Sequence, residues 1–289
     1  MEKIIKEKIS SLLSEEEEVL SVEQLGGMTN QNYLVKTTSK PYIVKFFGKG
    51  TEKLINRQDE KYNLELLEDL NLDVKNYLFD IESGIKVNEY IESATTLDST
   101  SIKTKFEKIA PILQIIHASG KELRGEFAPF EEIKKYESLI QGEISYPNYE
   151  AVRKSVLSLK NELEKIGIEK KSCHIDLVPE NFIEGPDGHL YLIDWEYSSM
   201  NDPMWDLAAL FLESEFTPEE ETDFLAYYEG DKTPVSREKI RIYKILQDII
   251  WSLWTIYKEE NGADFGDYGI TRYNRAVKEL QSQGGIDED

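Results

Sequence analysis

Hydrophobic positions change their period along this chain. Over residues 2–13, Ile4, Ile5, Ile9, Leu12 and Leu13 fall on one stripe of a helix. From there to residue 91 the period shortens to strand-like runs, at about 19–25, 32–37, 41–47, 77–81 and 84–91. One helical stretch, about 52–70, interrupts them, and in it Glu60, Leu64 and Leu67 share a face. From about 102 onward the pattern is mainly helical. Ile109, Ile112, Leu113, Ile115, Ile116 and His117 make one apolar helix, and residues 235–260 make a long one. The expected fold class is α+β, with a small antiparallel sheet within residues 1–91 and a larger, mainly helical part over 92–289.

Composition narrows the function classes. The 289 residues, 40% of them hydrophobic, suffice for one two-lobed domain or two small ones. Fifty-six acidic against 34 basic residues give a net charge of −22, which argues against nucleic acid as a partner. An acidic field favours a cationic substrate, and it serves solubility equally well. Apolar runs are short and broken by charge, and Met1–Glu7 lacks the apolar core of a signal peptide. A cytoplasmic protein without membrane insertion is therefore expected, and no protein partner is implied. The single cysteine, Cys173, excludes an intrachain disulfide, and three scattered histidines do not make a zinc site.

The chemistry concentrates between His174 and Tyr197. Asp176 and Asn181 stand five residues apart, and Asp194 follows thirteen residues later. Between them, Gly185-Pro186-Asp187-Gly188 is a strong turn signal, and His189–Ile193 reads as a short strand ending at Asp194. A hairpin there would bring Asp176, Asn181 and Asp194 to one sheet edge. Phosphoryl transfer from ATP needs such a set: one carboxylate to take the proton of an attacking hydroxyl, and an amide and a second carboxylate to hold magnesium. Upstream, Gly26-Gly27-Met28-Thr29-Asn30 joins two strands, and Lys45 is the one charge in the run Tyr42–Phe47. Taken alone, the first is a hairpin turn and the second an ordinary strand lysine.

Together these segments resemble the choline kinase and aminoglycoside phosphotransferase superfamily, and most closely the bacterial choline kinases, from Gly26 to about Tyr273. The chain departs from protein kinases, with Ile175 between the His and the Asp and with Asp194-Trp195-Glu196 in place of Asp-Phe-Gly. The resemblance implies a two-lobed protein-kinase-like fold and an ATP- and magnesium-dependent choline kinase. It implies Asp176 as catalytic base and Asn181 and Asp194 as magnesium ligands. Gly27, Thr29, Asn30 and Lys45 would bind ATP, with Glu60 pairing Lys45 and Glu65 as the second choice. Glu89 and Ile91, at the end of the last strand, are the expected adenine edge. His174 would brace the catalytic loop, and Asp206 would tie it down. In bacteria the product, phosphocholine, would serve decoration of lipoteichoic and teichoic acids.

The substrate signal is aromatic. Trp251 and Trp254 stand three apart on the long helix, and Phe265 and Tyr268 follow it. Aromatic faces attract a quaternary ammonium, which cannot donate hydrogen bonds, by about 0.5–2 kcal/mol per ring. Aromatic pairs at this spacing are also common in cores. The resemblance assigns Tyr197, Trp251, Trp254, Phe265 and Tyr268 to a choline pocket, with Glu213 as counter-charge and Trp205 as a further wall. Ethanolamine or an aminoglycoside is the alternative acceptor, and a non-catalytic choline-binding protein is the alternative class.

Overall fold

A computed structural model describes residues 2–14, 17–26, 30–48, 50–229 and 235–282. Its first elements are α1 (Glu2–Ser10), β1 (Val19–Gln24), β2 (Gln31–Thr37), β3 (Pro41–Phe46), α2 (Arg57–Leu67), β4 (Asn76–Asp80), β5 (Ile85–Glu89) and β6 (Thr95–Thr96). There follow α3 (Phe106–Ala118), α4 (Pro129–Leu139), α5 (Tyr149–Ile166), β7 (Lys171–Cys173), β8 (Phe182–Glu184), β9 (Leu190–Leu192) and β10 (Ser199–Asn201). The last are α6 (Pro203–Glu213), α7 (Pro218–Tyr228), α8 (Arg237–Glu260) and α9 (Tyr268–Ser282). The chain divides into two units, residues 1–97 with 180–196, and residues 98–179 with 197–289. A single break at 91/92 does not provide for the return of 180–196 to the first unit. Backbone pairing accounts for that return: β6 lies antiparallel to β8, and the Leu97 N–H donates to the Phe182 carbonyl at 2.9 Å.

In the first unit an antiparallel sheet runs in the order β1-β2-β3-β5-β4. Ile5 and Ile9 of α1 pack on Val35, Tyr42, Val44, Ile85 and Val87 from one face of that sheet. Strand alternation then sends Lys45 to the opposite face. The register sets it directly across from Lys86 of β5. Like charges in that position repel, so this face must recruit carboxylates. The α1 stripe is narrower than its sequence suggests: Ile4 is 45% exposed, and the helix ends before Leu12 and Leu13. Helix α2 begins at 57 because Asn56 caps it, its side chain accepting from the backbone N–H groups of Gln58 and Asp59. The excess over the expected span breaks into separate 3₁₀ turns at Thr51–Lys53 and Glu68–Leu70. Strands β8 and β9 form the anticipated hairpin, closed by Gly188 at φ 80° donating to the Gly185 carbonyl at 2.9 Å.

The second unit is built around α8, which is buried along nearly its whole length and packs against α4, α5, α6 and α9. A helix covered on all sides supports a core, and this one carries Trp251 and Trp254 within it. Asp202 caps α6 ahead of Pro203 and also accepts from Lys239 at 2.8 Å, which joins the starts of α6 and α8. β7 and β10 pair antiparallel. Among the described residues no helix is long and apolar enough to cross a membrane.

Asn56 supplies acceptors for two amides at the start of the helix that carries Arg57 and Glu60. Asn56→Ala is expected to lower stability by about 1 kcal/mol, read as a drop in the urea midpoint at unchanged slope.

Candidate active site

The loop after β7 holds Asp176. Ile175, immediately before it, has φ 77°, a left-handed conformation that is costly for a β-branched residue. Three contacts impose it. The backbone N–H groups of His174 and Ile175 each donate to Asp206 at 2.9 Å, and Trp205 Nε1 donates to the Ile175 carbonyl at 3.0 Å. Asp206 is fully buried and also receives His117 Nε2 at 3.0 Å, while Tyr228 lies 2.7 Å from His117 Nδ1. Taking Nε2 as protonated satisfies both contacts, with the Tyr228 hydroxyl donating to Nδ1. His117, Cys173 and Asp206 bring ligand atoms within 4.8 Å of one another. Their donors and acceptors are spent on bracing the loop. The result is a half-buried Asp176 between the buried side chains of Ile175 and Leu177.

In the first unit the hairpin brings the other two polar groups together. Asn181 is buried in a 3₁₀ turn, and its carbonyl accepts the Ile193 N–H at 2.8 Å, one residue before Asp194. Asp194 has φ 68° and accepts Lys45 Nζ at 2.6 Å on Oδ1. Burial alone would lower the pKa of Lys45, but Asp194, Glu196 and Glu60 outweigh it and hold that pKa above the ordinary lysine value. The amide oxygen of Asn181 and the carboxylate of Asp194 are hard donors of the kind magnesium takes.

Glu60 does not make the expected pair with Lys45. Its Oε1 accepts Lys86 at 2.7 Å and its Oε2 accepts Arg57 at 2.6 Å. The physical reason is the two-lysine register: Asp194 takes one cation of the pair and Glu60 the other. Glu65 is exposed on the far side of α2. Sequence reasoning missed Lys86, Arg57, Glu196 and Asp73. The signal available was Arg57 at three residues before Glu60, on the same helix face. Burial pushes the Asp73 carboxyl up to about 7; Lys86 pulls it down and Asp194 adds repulsion.

Asn30 is buried and donates to Glu196 Oε2 at 3.0 Å, while Gly48 N–H donates to its Oδ1 at 3.1 Å. Gly27 and Thr29 lie outside the described residues. Glu89 and Ile91 are half-buried. One main-chain group of each is engaged within the unit, Glu89 N–H with the Lys75 carbonyl at 2.8 Å and the Ile91 carbonyl with Ala94 N–H at 3.2 Å.

The second unit gathers the predicted aromatic residues into one row. Tyr197 meets Trp251 edge-on at 5.6 Å between ring centroids, and Trp251 meets Trp254 at 6.3 Å. Trp254 lies 4.9 Å from Phe265, which lies 6.4 Å from Tyr268. Both tryptophans are 7% exposed, so they serve the packing of α8 as well. Trp254 Nε1 is buried with no hydrogen-bond partner among the described residues. The Asp176 charge acts on both Tyr268 and Tyr136, raising their hydroxyl pKa values together with the larger effect of burial. Two expectations need correction here. Trp205 is not a pocket wall: it is fully buried, tilted against Phe127 and edge-on to Tyr243, with its N–H spent on Ile175. Glu213 is not an open counter-charge, because Arg272 ion-pairs with it and also donates to Asp248 at 3.1 Å. The Arg272 guanidinium carbon sits 4.7 Å from the centre of the Tyr268 ring, so this end of the row already holds a cation.

A sequence model of choline/ethanolamine kinases matches residues 22–239. Protein LicA of Haemophilus influenzae is 30% identical over 269 residues, 89% of this chain and 79% of that protein. The crystal structure of choline kinase LicA from Streptococcus pneumoniae is similar at a TM-score of 0.94 and 80% identity, covering 98% of this chain and 99% of that one. A crystal structure of LicA in complex with AMP is similar at a TM-score of 0.92 and 81% identity, covering 97% and 98% of the two chains.

Asp73 is expected to titrate near neutrality in the nucleotide-free protein, visible as a carboxyl carbon shift by NMR. Its folded pKa lies above the unfolded value of about 3.9. Its contribution to stability is therefore full below about pH 4 and is lost as pH rises through about 7. Asp73→Asn should flatten the fall in stability over that window, and an unchanged pH profile would show that another group is responsible.

Proposed function

We propose that this chain, which belongs to the choline/ethanolamine kinase family, is a choline kinase that moves the γ-phosphoryl group of ATP to the choline hydroxyl, giving phosphocholine and ADP. The run of five rings from Tyr197 to Tyr268, with the Asp176 charge acting on its last member, carries the choice of choline. Such a wall suits a trimethylammonium group, which needs polarisable faces and no acceptor. A primary ammonium has three donors and would want several oxygen acceptors. Of the nearby carboxylates, Glu213 is already engaged by Arg272. Similarity at 80% identity to a protein described as a choline kinase supports the same reading.

In this reading Lys45 meets the ATP phosphates, exchanging its contact with Asp194 for them. Asn181 and Asp194 would hold magnesium, whose charge neutralises the phosphate oxygens when it is bound. Choline binds with its ammonium along the aromatic row. Its hydroxyl donates to Asp176, which orients the oxygen and takes the proton as the oxygen–phosphorus bond forms and ADP leaves. The pinned, strained Ile175 keeps the Asp176 carboxylate from rearranging between turnovers, so most of the acceleration comes from positioning and charge neutralisation. In this reading the activity is cytoplasmic, and its phosphocholine would serve teichoic and lipoteichoic acid decoration.

The direct test is ADP release from ATP and magnesium with choline, ethanolamine or an aminoglycoside as acceptor. Choline should give the highest kcat/KM, and equal values for ethanolamine would remove the aromatic row as the selecting element. Asp176→Ala should cut kcat by about a thousandfold while choline binding persists in calorimetry. Trp254→Ala should raise the choline KM about tenfold, the value of roughly one ring, and leave the ATP KM unchanged.

A further inference from the structure

We propose that Arg57 is a positioning residue for the nucleotide, fastening helix α2, the Asp194 turn and the Asn30 segment to one guanidinium. The proposal rests on the assignment of ATP to the first unit. Arg57 is buried, and its Nη1 donates to Glu60 Oε2 at 2.6 Å and to Glu196 Oε2 at 2.9 Å. Its Nη2 donates to Thr51 Oγ1 at 3.0 Å, and its guanidinium carbon lies 3.8 Å from the centre of the Phe47 ring. The same Glu196 oxygen accepts Asn30 Nδ2 at 3.0 Å, and Asn30 in turn accepts Gly48 N–H. Glu60 continues the chain to Lys86, the strand partner of Lys45.

Each branch of this network ends on a group assigned to ATP or its metal. Glu196 stands two residues beyond Asp194, whose left-handed backbone needs an outside restraint. Asn30 is the described end of the glycine loop. Glu60 fixes Lys86 and so leaves Lys45 to Asp194 and the phosphates. A planar fork with several fixed donors can serve three directions and stack on a ring at once, which an ammonium cannot do. In protein kinases the corresponding ordering comes from a direct Lys–Glu pair. Here the glutamate is one step removed, and the arginine closes the gap. Charge explains why loss of the arginine would be felt at a distance. Glu60 and Glu196 both reach the same nitrogen, so without it two buried carboxylates are left facing one another.

Calorimetric binding of a non-hydrolysable ATP analogue, with and without magnesium, tests this independently of the acceptor. Arg57→Gln should weaken binding of the magnesium complex tenfold or more and raise the ATP KM alike, with the choline KM within twofold of the parent. Arg57→Lys, which restores charge without the fork, should recover only part of the loss. Parental analogue affinity in folded Arg57→Gln, or a choline KM that rises in step with that for ATP, overturns the proposal. If Arg57→Gln does not fold, Glu196→Gln decides: a several-fold loss of affinity for the magnesium complex supports it, and parental affinity overturns it. Failure of the unaltered protein to phosphorylate choline would instead strike the acceptor assignment and leave these binding results standing.

Discussion

The face of the first unit that carries Lys45 is organised by a repulsion. The β3–β5 register sets Lys45 and Lys86 directly opposite one another, with little water to screen them. Two buried ammonium groups side by side are tolerable only if anions are brought to both. Asp194 answers one and Glu60 the other. Satisfying that demand pulls the 180–196 hairpin onto the sheet from far along the chain, and turns α2 so that its Arg57 and Glu60 face inward. The ordering of the Asp194 carboxylate is thus a by-product of neutralising a strand lysine. The arrangement also fits the proposed reading, in which phosphates would offer Lys45 stronger anionic partners and free Asp194 to take magnesium.

The second unit solves a different problem. It must hold one half-buried carboxylate, Asp176, in a fixed place on a loop, and loops are otherwise mobile. Asp206 does this from beneath with two main-chain hydrogen bonds, and Trp205 locks the intervening carbonyl. The histidine and tyrosine behind Asp206 leave none of its demands to water. A buried carboxylate with fully committed oxygens is costly to disturb, so Ile175 stays in a conformation it would not choose. Two rings of the aromatic row, Trp251 and Trp254, grow from the same core, because the α8 helix that carries them is enclosed.

Much of this was legible along the chain. The strands, the glycine hairpin, the long apolar helix and the order Asp176, Asn181, Asp194 follow from period, turn residues and spacing, which are local properties. The resemblance named Tyr197, Trp251, Trp254, Phe265 and Tyr268 as one group, and the structure brings these rings into one row. Trp205 and Glu213 were misread for one reason. Residue type and proximity in sequence say nothing about whether a side chain has already been claimed, and these two are taken by the Ile175 carbonyl and by Arg272.

The amino-acid sequence by itself determined the α+β class, the 174–197 segment with its hairpin and the residue types from which a phosphate-handling site would be built. Only the tertiary structure decided which charge meets which. Glu60 and Lys45 are fifteen residues apart and look like partners, yet Lys45 pairs with Asp194, 149 residues away, because the register placed a second lysine beside it. Coulomb attraction depends on distance in space and on the solvent each group has lost, and both quantities come into being only when the strands have paired and the helix has closed over them.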